Sequence, residues 1–157
     1  MAKPTAVDTL LSIGRIDIED AQDAAVIARK ARKSTGAHIP ELHTPAEDLE
    51  FYTQAILESD GSVCEIDGRV IGFILWNEDW IYHLYVLPEF HRQGIGTALL
   101  QAALDSMQSE VVQLWTFQAN IGAIAFYETR GFAIVESTDG SRNKESMPDH
   151  RLVLVLE

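Results

Sequence analysis

The residue pattern predicts an α/β sandwich, with a mixed, mostly antiparallel sheet of about seven strands flanked by four helices. Three observations carry this. Apolar runs of strand length recur between turn signals, at Val63–Ile66, Val70–Trp76, Trp80–Val86 and Val111–Phe117. Stretches with helical spacing of apolar residues separate some of them. The pair Asp67-Gly68 stands between two of the runs, which is the signature of a two-residue hairpin and so of antiparallel neighbours.

The elements follow in order. Ile13, Ile16 and Ile18 lie among Arg15, Asp17 and Glu19 and read as a first strand with imperfect alternation. Asp20 is placed to cap an Ala-rich helix that runs to about Lys33. Its basic end, Arg29 to Lys33, reads as a solvated face where cations offset the dipole. Thr44-Pro45-Ala46-Glu47 is a strong helix start. Thr44 caps, Pro45 suits the first helical position and Glu47 completes a capping box. That helix reaches about Glu58, and Asp60-Gly61 ends it. The hairpin strands come next, then the turn Asn77-Glu78-Asp79 into Trp80–Val86. A third helix carries two apolar stripes (Leu100, Leu104, Met107 and Ile95, Leu99, Ala102), wide enough to pack on a sheet. Val111–Phe117 is a strand, Asn120–Arg130 a short helix ended by Gly131. Phe132–Val135 and Leu152–Leu156 close the chain as strands around a polar loop, Ser137–Asp149.

At 157 residues the chain is expected to form a single domain, 1–157, with residues 1–10 frayed. Cys64 stands alone, so no intrachain disulfide forms and a reducing cytoplasm is expected. No apolar run is long enough for a membrane span, and the N-terminus lacks a signal-peptide core. The net charge of −12 argues against nucleic acid as a partner and suits a cationic one, such as an amine. An anionic ligand then needs local donors, which act at short range because salt screens beyond about 8 Å.

Such donors are found in His91-Arg92-Gln93-Gly94-Ile95-Gly96-Thr97. The stretch follows a strand and a Pro88 turn and opens a helix. Glycines admit a ligand close to the backbone, and a helix start offers unpaired N–H groups with the positive dipole end behind them. Together they make a phosphate cradle. A dinucleotide fingerprint would need glycine where Leu99 stands, and a Walker A loop would need Lys where Thr97 stands.

The remaining spacing resembles the acetyl-CoA loop of the GNAT-type N-acetyltransferases. That family usually has Gln or Arg at the first position, where this chain has His91 followed by Arg92. A second stretch is similar to another family signature: Asn120, two residues, Ala123, two residues, Phe126-Tyr127-Glu128, then Gly131-Phe132. Asn120, Ala123 and Tyr127 share one helix face. The element order matches the family over nearly the whole length.

The resemblance implies acetyl-CoA as co-substrate, no metal, and direct attack by an amine on the thioester. It implies that Tyr127 protonates the departing thiolate, which a phenol can do. Asn120 would bond the pantetheine or phosphate arm. Backbone groups of Leu84, Tyr85 and Val86 match those that pair with the pantetheine like an added strand. The N–H groups of Arg92, Gln93, Gly94, Ile95, Gly96 and Thr97 match the pyrophosphate cradle. The acceptor helices would be about 20–58 and the acetyl-CoA core about 62–157. The acceptor amine, from a small molecule or a protein, must be neutral to attack, so a base is expected: His83, Glu78, Asp79 or a water. Alternation puts His83 on one face with Ile81 and Tyr85. The acceptor pocket would draw on His38, His43, Phe51, Tyr52, Trp76, Trp80 and Tyr82, whose rings suit a cation. A homodimer stays open. The alternative function is a non-catalytic acyl-CoA-binding regulatory module, which would not need the phenol.

Overall fold

The computed structural model describes residues 11–156; the fraying expected of residues 1–10 lies outside them. The described chain runs β1 (Leu11–Arg15), α1 (Ala21–Ser34), α2 (Pro45–Glu58), β2 (Asp60–Ile66), β3 (Arg69–Asn77), β4 (Trp80–Val86), α3 (Ile95–Ser106), β5 (Val111–Phe117), α4 (Ile121–Thr129), β6 (Ala133–Thr138) and β7 (Asp149–Val155). The strands form a seven-stranded sheet in the order β1-β2-β3-β4-β5-β7-β6. Every neighbouring pair is antiparallel except β4 and β5. The expected element order and mixed sheet are what the chain adopts.

Local chemistry explains most boundaries. Thr44 accepts from the Glu47 N–H at 3.1 Å while Glu47 accepts from the Thr44 N–H at 2.9 Å, closing the capping box before α2. Asp67 (φ 52°) and Gly68 (φ 81°) turn the β2–β3 hairpin, both in the left-handed region that a tight hairpin requires. Two boundaries differ from expectation. The first strand stops at Arg15, because Asp17 and Asp20 bond reciprocally around a short 3-10 turn. The Asp20 carboxylate is thereby turned back on Asp17, and α1 starts without a side-chain cap. The last two strands meet earlier and later than their apolar residues suggest. The polar pairs Ser137↔His150 and Thr138↔Asp149 extend that ladder, and an edge hairpin facing solvent needs no apolar signal to do so.

The sheet is covered on both faces around β3. The Tyr52 ring of α2 meets the Phe73 ring edge-on at 5.6 Å. A Cβ at Gly72 would come within 3.1 Å of Leu99 on α3. Phe73 and Leu75 therefore face the α1–α2 layer, while Gly72, Ile74 and Trp76 face α3. Phe73, Ile74, Leu75, Leu99, Leu114 and Leu152 are fully buried in this core. The register corrects two expectations. Leu75 pairs with His83 but Trp76 pairs with Ile81, so Tyr82 is an extra residue in β4. Cross-strand partners share a face. His83 thus faces α1–α2 and Ile81 faces α3, not the same side, and Trp76 lies away from the α1–α2 layer.

The basic end of α1 is also not simply solvated. Arg29 holds the buried Asp48 carboxylate of α2 through Nε at 2.8 Å and Nη2 at 2.7 Å, and Nη2 also donates to the His43 carbonyl at 2.6 Å. Arg32 adds ion pairs to Glu41 at 3.2 Å and Asp48 at 3.6 Å. One buried carboxylate pins both helices and the segment between them.

Candidate active site

β4 and β5 share one register pair, Trp80↔Gln113. Gln113 reinforces it, its N–H donating to the Asp79 carbonyl and its side-chain amide to the Asp79 carboxylate, both at 2.8 Å. Beyond this point no further pair joins the two strands. A cleft of about 1520 Å³ opens there, lined by Leu84–Val86 on one side and Trp115–Phe117 on the other. The β5-facing edge of β4 is thus left without a strand partner.

The first turn of α3 faces this cleft. Gly94 is its N-cap, in the left-handed region at φ 80°, and no side chain caps the helix. The first intrahelical bond runs from Ala98 N–H to the Gly94 carbonyl at 3.0 Å. The N–H groups of Ile95, Gly96 and Thr97 precede it and have no intrahelical acceptor. Arg92 is also left-handed (φ 64°), which bends the loop into a concave run of amides. Leu84, Tyr85, Val86, Arg92, Gly94, Ile95, Gly96, Thr97, Asn120 and Tyr127 all line the cleft; Gln93 does not. His91 lines it too, but its Nε2 lies 2.8 Å from the Val86 carbonyl. A carbonyl only accepts, so Nε2 carries the proton and the ring braces the loop against β4.

Asn120 accepts the Ala123 N–H at 3.2 Å and so caps α4, leaving its amide NH₂ for another partner. Tyr127 is 8% exposed and packs edge-on against Phe126 and Phe132, with ring centroids 5.1 and 5.3 Å away. Burial first, and the neighbouring Tyr85 second, raise its phenol above the usual range, so it keeps its proton. Burial likewise raises Tyr85, against the opposing pull of the Arg32 guanidinium. Burial disfavours the charge on Arg32, but Tyr52, Tyr85 and the carboxylates of Glu41 and Asp48 outweigh it and hold the cation.

His83 is elsewhere. Its ring is enclosed by Tyr52, Phe51 and Tyr85, with centroids 5.2, 5.6 and 6.1 Å away, and it does not line the cleft. Nδ1 is buried without a hydrogen-bond partner. Burial, helped by the Arg32 charge, lowers its pKa to about 4. Glu78, Asp79, His38, His43, Phe51, Tyr52, Trp76, Trp80 and Tyr82 also lie outside the lining. Another part of the lining comes from Arg32, Thr35, Gly36 and Ile39 near the end of α1, and from Arg142, Asn143 and Glu145 in the β6–β7 loop. That loop is tightly tied. Asn143 bonds the Met147 carbonyl at 2.7 Å and the Met147 N–H at 3.1 Å, and a Cβ on Gly140 would fall 2.2 Å from the Met147 backbone. Sequence reasoning missed Arg32 although a signal existed: Arg29 and Arg32 share one helix face with Ala25 and Ala28, the buried side of α1.

Comparison with known proteins accords with this geometry. A family model described as the acetyltransferase (GNAT) family matches residues 28–132. The chain belongs to the GNAT acetyltransferase family. An uncharacterized N-acetyltransferase of Archaeoglobus fulgidus is 31% identical over 112 residues, covering 60% of this chain and 76% of that protein. The peptidyl-lysine N-acetyltransferase YiaC of Escherichia coli is 36% identical over 75 residues, covering 47% of this chain and 50% of its own length. Another relative, from Methanocaldococcus jannaschii, is covered over only 41% of its length. Among solved GNAT relatives, the PaiA N-acetyltransferase of Thermoplasma acidophilum, in complex with coenzyme A, superposes with a TM-score of 0.75 at 25% identity, covering 92% of this chain and 98% of that one.

Proposed function

We propose that this GNAT chain transfers an acetyl group from acetyl-CoA to an amine by direct attack on the thioester. One observation carries the reading: a single cleft joins an unpaired strand edge, an uncapped helix N-terminus and a protonated phenol. The amides of Ile95, Gly96 and Thr97 would hold the diphosphate. Backbone groups of Leu84 to Val86 would pair with the pantetheine amides, and the free NH₂ of Asn120 would reach the same arm. Tyr127 would donate its O–H to sulfur as the C–S bond breaks, stabilising the thiolate or protonating it.

The incoming amine must lose a proton, and the cleft offers three carboxylates: Glu136, Glu145 and Asp149. Glu136 pairs with Arg151 at 2.9 Å, and Asp149 is bonded to Thr138 and Asn143. Glu145 has no such partner among the described residues, so this reading assigns it the proton, directly or through water. His83, buried under the aromatic layer and neutral at physiological pH, takes a supporting place beneath Tyr85. Protein amines come first among acceptors to screen, given the peptidyl-lysine acceptor in the name of the Escherichia coli relative.

The test is thiol release from acetyl-CoA against a panel of peptides with free N-termini or lysines and of small amines. The expected result is turnover with at least one acceptor and its loss in Tyr127→Phe. Coenzyme A that fails to bind, or full turnover in Tyr127→Phe, overturns the reading.

A further inference from the structure

Four arginines among the described residues have a carboxylate within ion-pair distance: Arg29, Arg32, Arg69 and Arg151. Among the described residues Arg15, Arg92, Arg130 and Arg142 have none; Arg15 lies on β1, and the other three line the cleft. In a chain of net charge −12, unneutralised guanidinium groups gathered at one opening are a clear departure from the rest of the molecule. Arg142 belongs to the β6–β7 loop. Arg92 contributes mainly its left-handed backbone to the cradle.

Arg130 touches the cradle itself. It follows α4 directly, and its guanidinium lies 3.8 Å over the centre of the Phe126 ring. That ring abuts Gly96, where an added Cβ would come within 3.3 Å of it. Arg130 Nη1 donates to the Phe126 carbonyl at 2.8 Å, Nε donates to Thr97 Oγ1 at 3.2 Å, and Nη2 donates to the same oxygen. A guanidinium has five N–H donors, so these contacts leave two unused. The aromatic face, the carbonyl and the hydroxyl fix its plane before any ligand arrives. Thr97 is the third residue of α3, so the charge sits beside the free amides. The loop's own first side chain, His91, is spent on Val86.

We propose that Arg130 is a cofactor-binding residue, pairing through its two unused N–H groups with a phosphate of acetyl-CoA. The proposal rests on the acetyl-CoA reading above. It explains how an acidic protein binds a polyanion: one preorganised cation adds its charge where the helix dipole already points. It also explains why Gly96 and Phe126 are neighbours, since the ring carries the guanidinium against the first turn of the helix.

Calorimetric titration with coenzyme A and with 3′-dephospho-CoA tests it, on the wild type, Arg130→Gln and Arg130→Lys, with melting temperatures recorded for each. The expected result is a coenzyme A Kd raised about tenfold or more in Arg130→Gln, as for loss of a charged hydrogen bond. Arg130→Lys, which keeps the charge but loses the stacked fork, should fall between Arg130→Gln and wild type. A penalty confined to coenzyme A assigns the 3′-phosphate, and an equal penalty with both ligands assigns the diphosphate; either supports the proposal. If Arg130→Gln melts lower but binds coenzyme A like the wild type, Arg130 is only a clamp between α3 and α4 and the proposal falls alone. Wild-type protein that binds neither ligand overturns the acetyl-CoA reading, and the proposal with it.

Discussion

The cradle side of the cleft and the side proposed to take the acceptor are assembled differently. The cradle side presents mostly backbone: the β4 edge from Leu84 to Val86 and the first turn of α3 after a left-handed Gly94. The acceptor side presents side chains, with Arg32 on α1 and Arg142, Asn143 and Glu145 on a loop more than a hundred residues later in the chain. Backbone recognition tolerates most side chains but demands particular conformations, so the cradle can serve one ligand while the opposite wall is rebuilt for different acceptors. The two walls should respond to substitution in different kinetic parameters.

Tyr127 lines the same cleft, and as the proposed proton donor its loss should be the largest single effect. Tyr127→Phe is expected to lower kcat by about 10³-fold, or about 4 kcal/mol of barrier, with little change in the Kd of coenzyme A. Steady-state thiol release and calorimetry check both parts. Next comes the support of the acceptor wall. Asp48→Ala leaves the largely buried Arg29 and Arg32 with Glu41 as their one carboxylate partner among the described residues and should cost about 2 kcal/mol of stability. Denaturant unfolding measures this, and a loss under 1 kcal/mol would make the α1–α2 layer far less dependent on that carboxylate than the geometry implies.

A comparable effect is expected from pH. His83 has its folded pKa lowered to about 4 from an ordinary 6.5. The unfolded chain therefore binds the proton more readily, and stability is complete above pH 6.5 and lost as pH falls toward 4. The loss should reach about 2 kcal/mol by pH 5, by linkage of that shift. Unfolding curves of wild type and His83→Asn across this window should diverge, with the variant missing that component. The smallest expected effect sharpens the contrast between the walls. Glu145→Gln should raise the acceptor KM or lower kcat by about fivefold, roughly 1 kcal/mol, and leave the coenzyme A Kd unmoved. A matching change in coenzyme A binding would mean that the two sides are not separable.

The same contrast governs what could be read from the amino-acid order. A backbone cradle leaves a local trace, because Gly94 and Gly96 must occupy set positions relative to a strand and a helix. The capping box at Thr44 and Glu47 and the Asp67-Gly68 turn were legible for the same reason: each is a short-range arrangement within four residues. The opposite wall leaves a fainter trace, the spacing that sets Arg32 on the buried face of α1 with Ala25 and Ala28. Glu145 joins Arg32 in the lining of one cleft only through tertiary packing, so no spacing announces that pairing of segments. The face of His83 was misjudged because Tyr82 inserts one residue into the ladder, and alternation counts silently through a bulge. Of the aromatic residues expected around the acceptor, Tyr52 and Trp76 are core, while Phe51 and Tyr82 are exposed outside the cleft. Rings that could hold a cation are chemically the same rings that fill an interior.

Among the described residues, Trp80 and Gln113 are the one register pair between the leaf of four strands, β1 to β4, and the leaf of three, β5 to β7. A shared core of Ile74, Leu99, Leu114 and Leu152 holds the two leaves together elsewhere, but along the opening nothing joins their rims among the described residues. Any molecule laid along both rims acts as a splint and raises the resistance to heat and proteolysis in proportion to its abundance. On the proposed reading, the lifetime of this protein would follow the supply of acetyl-CoA.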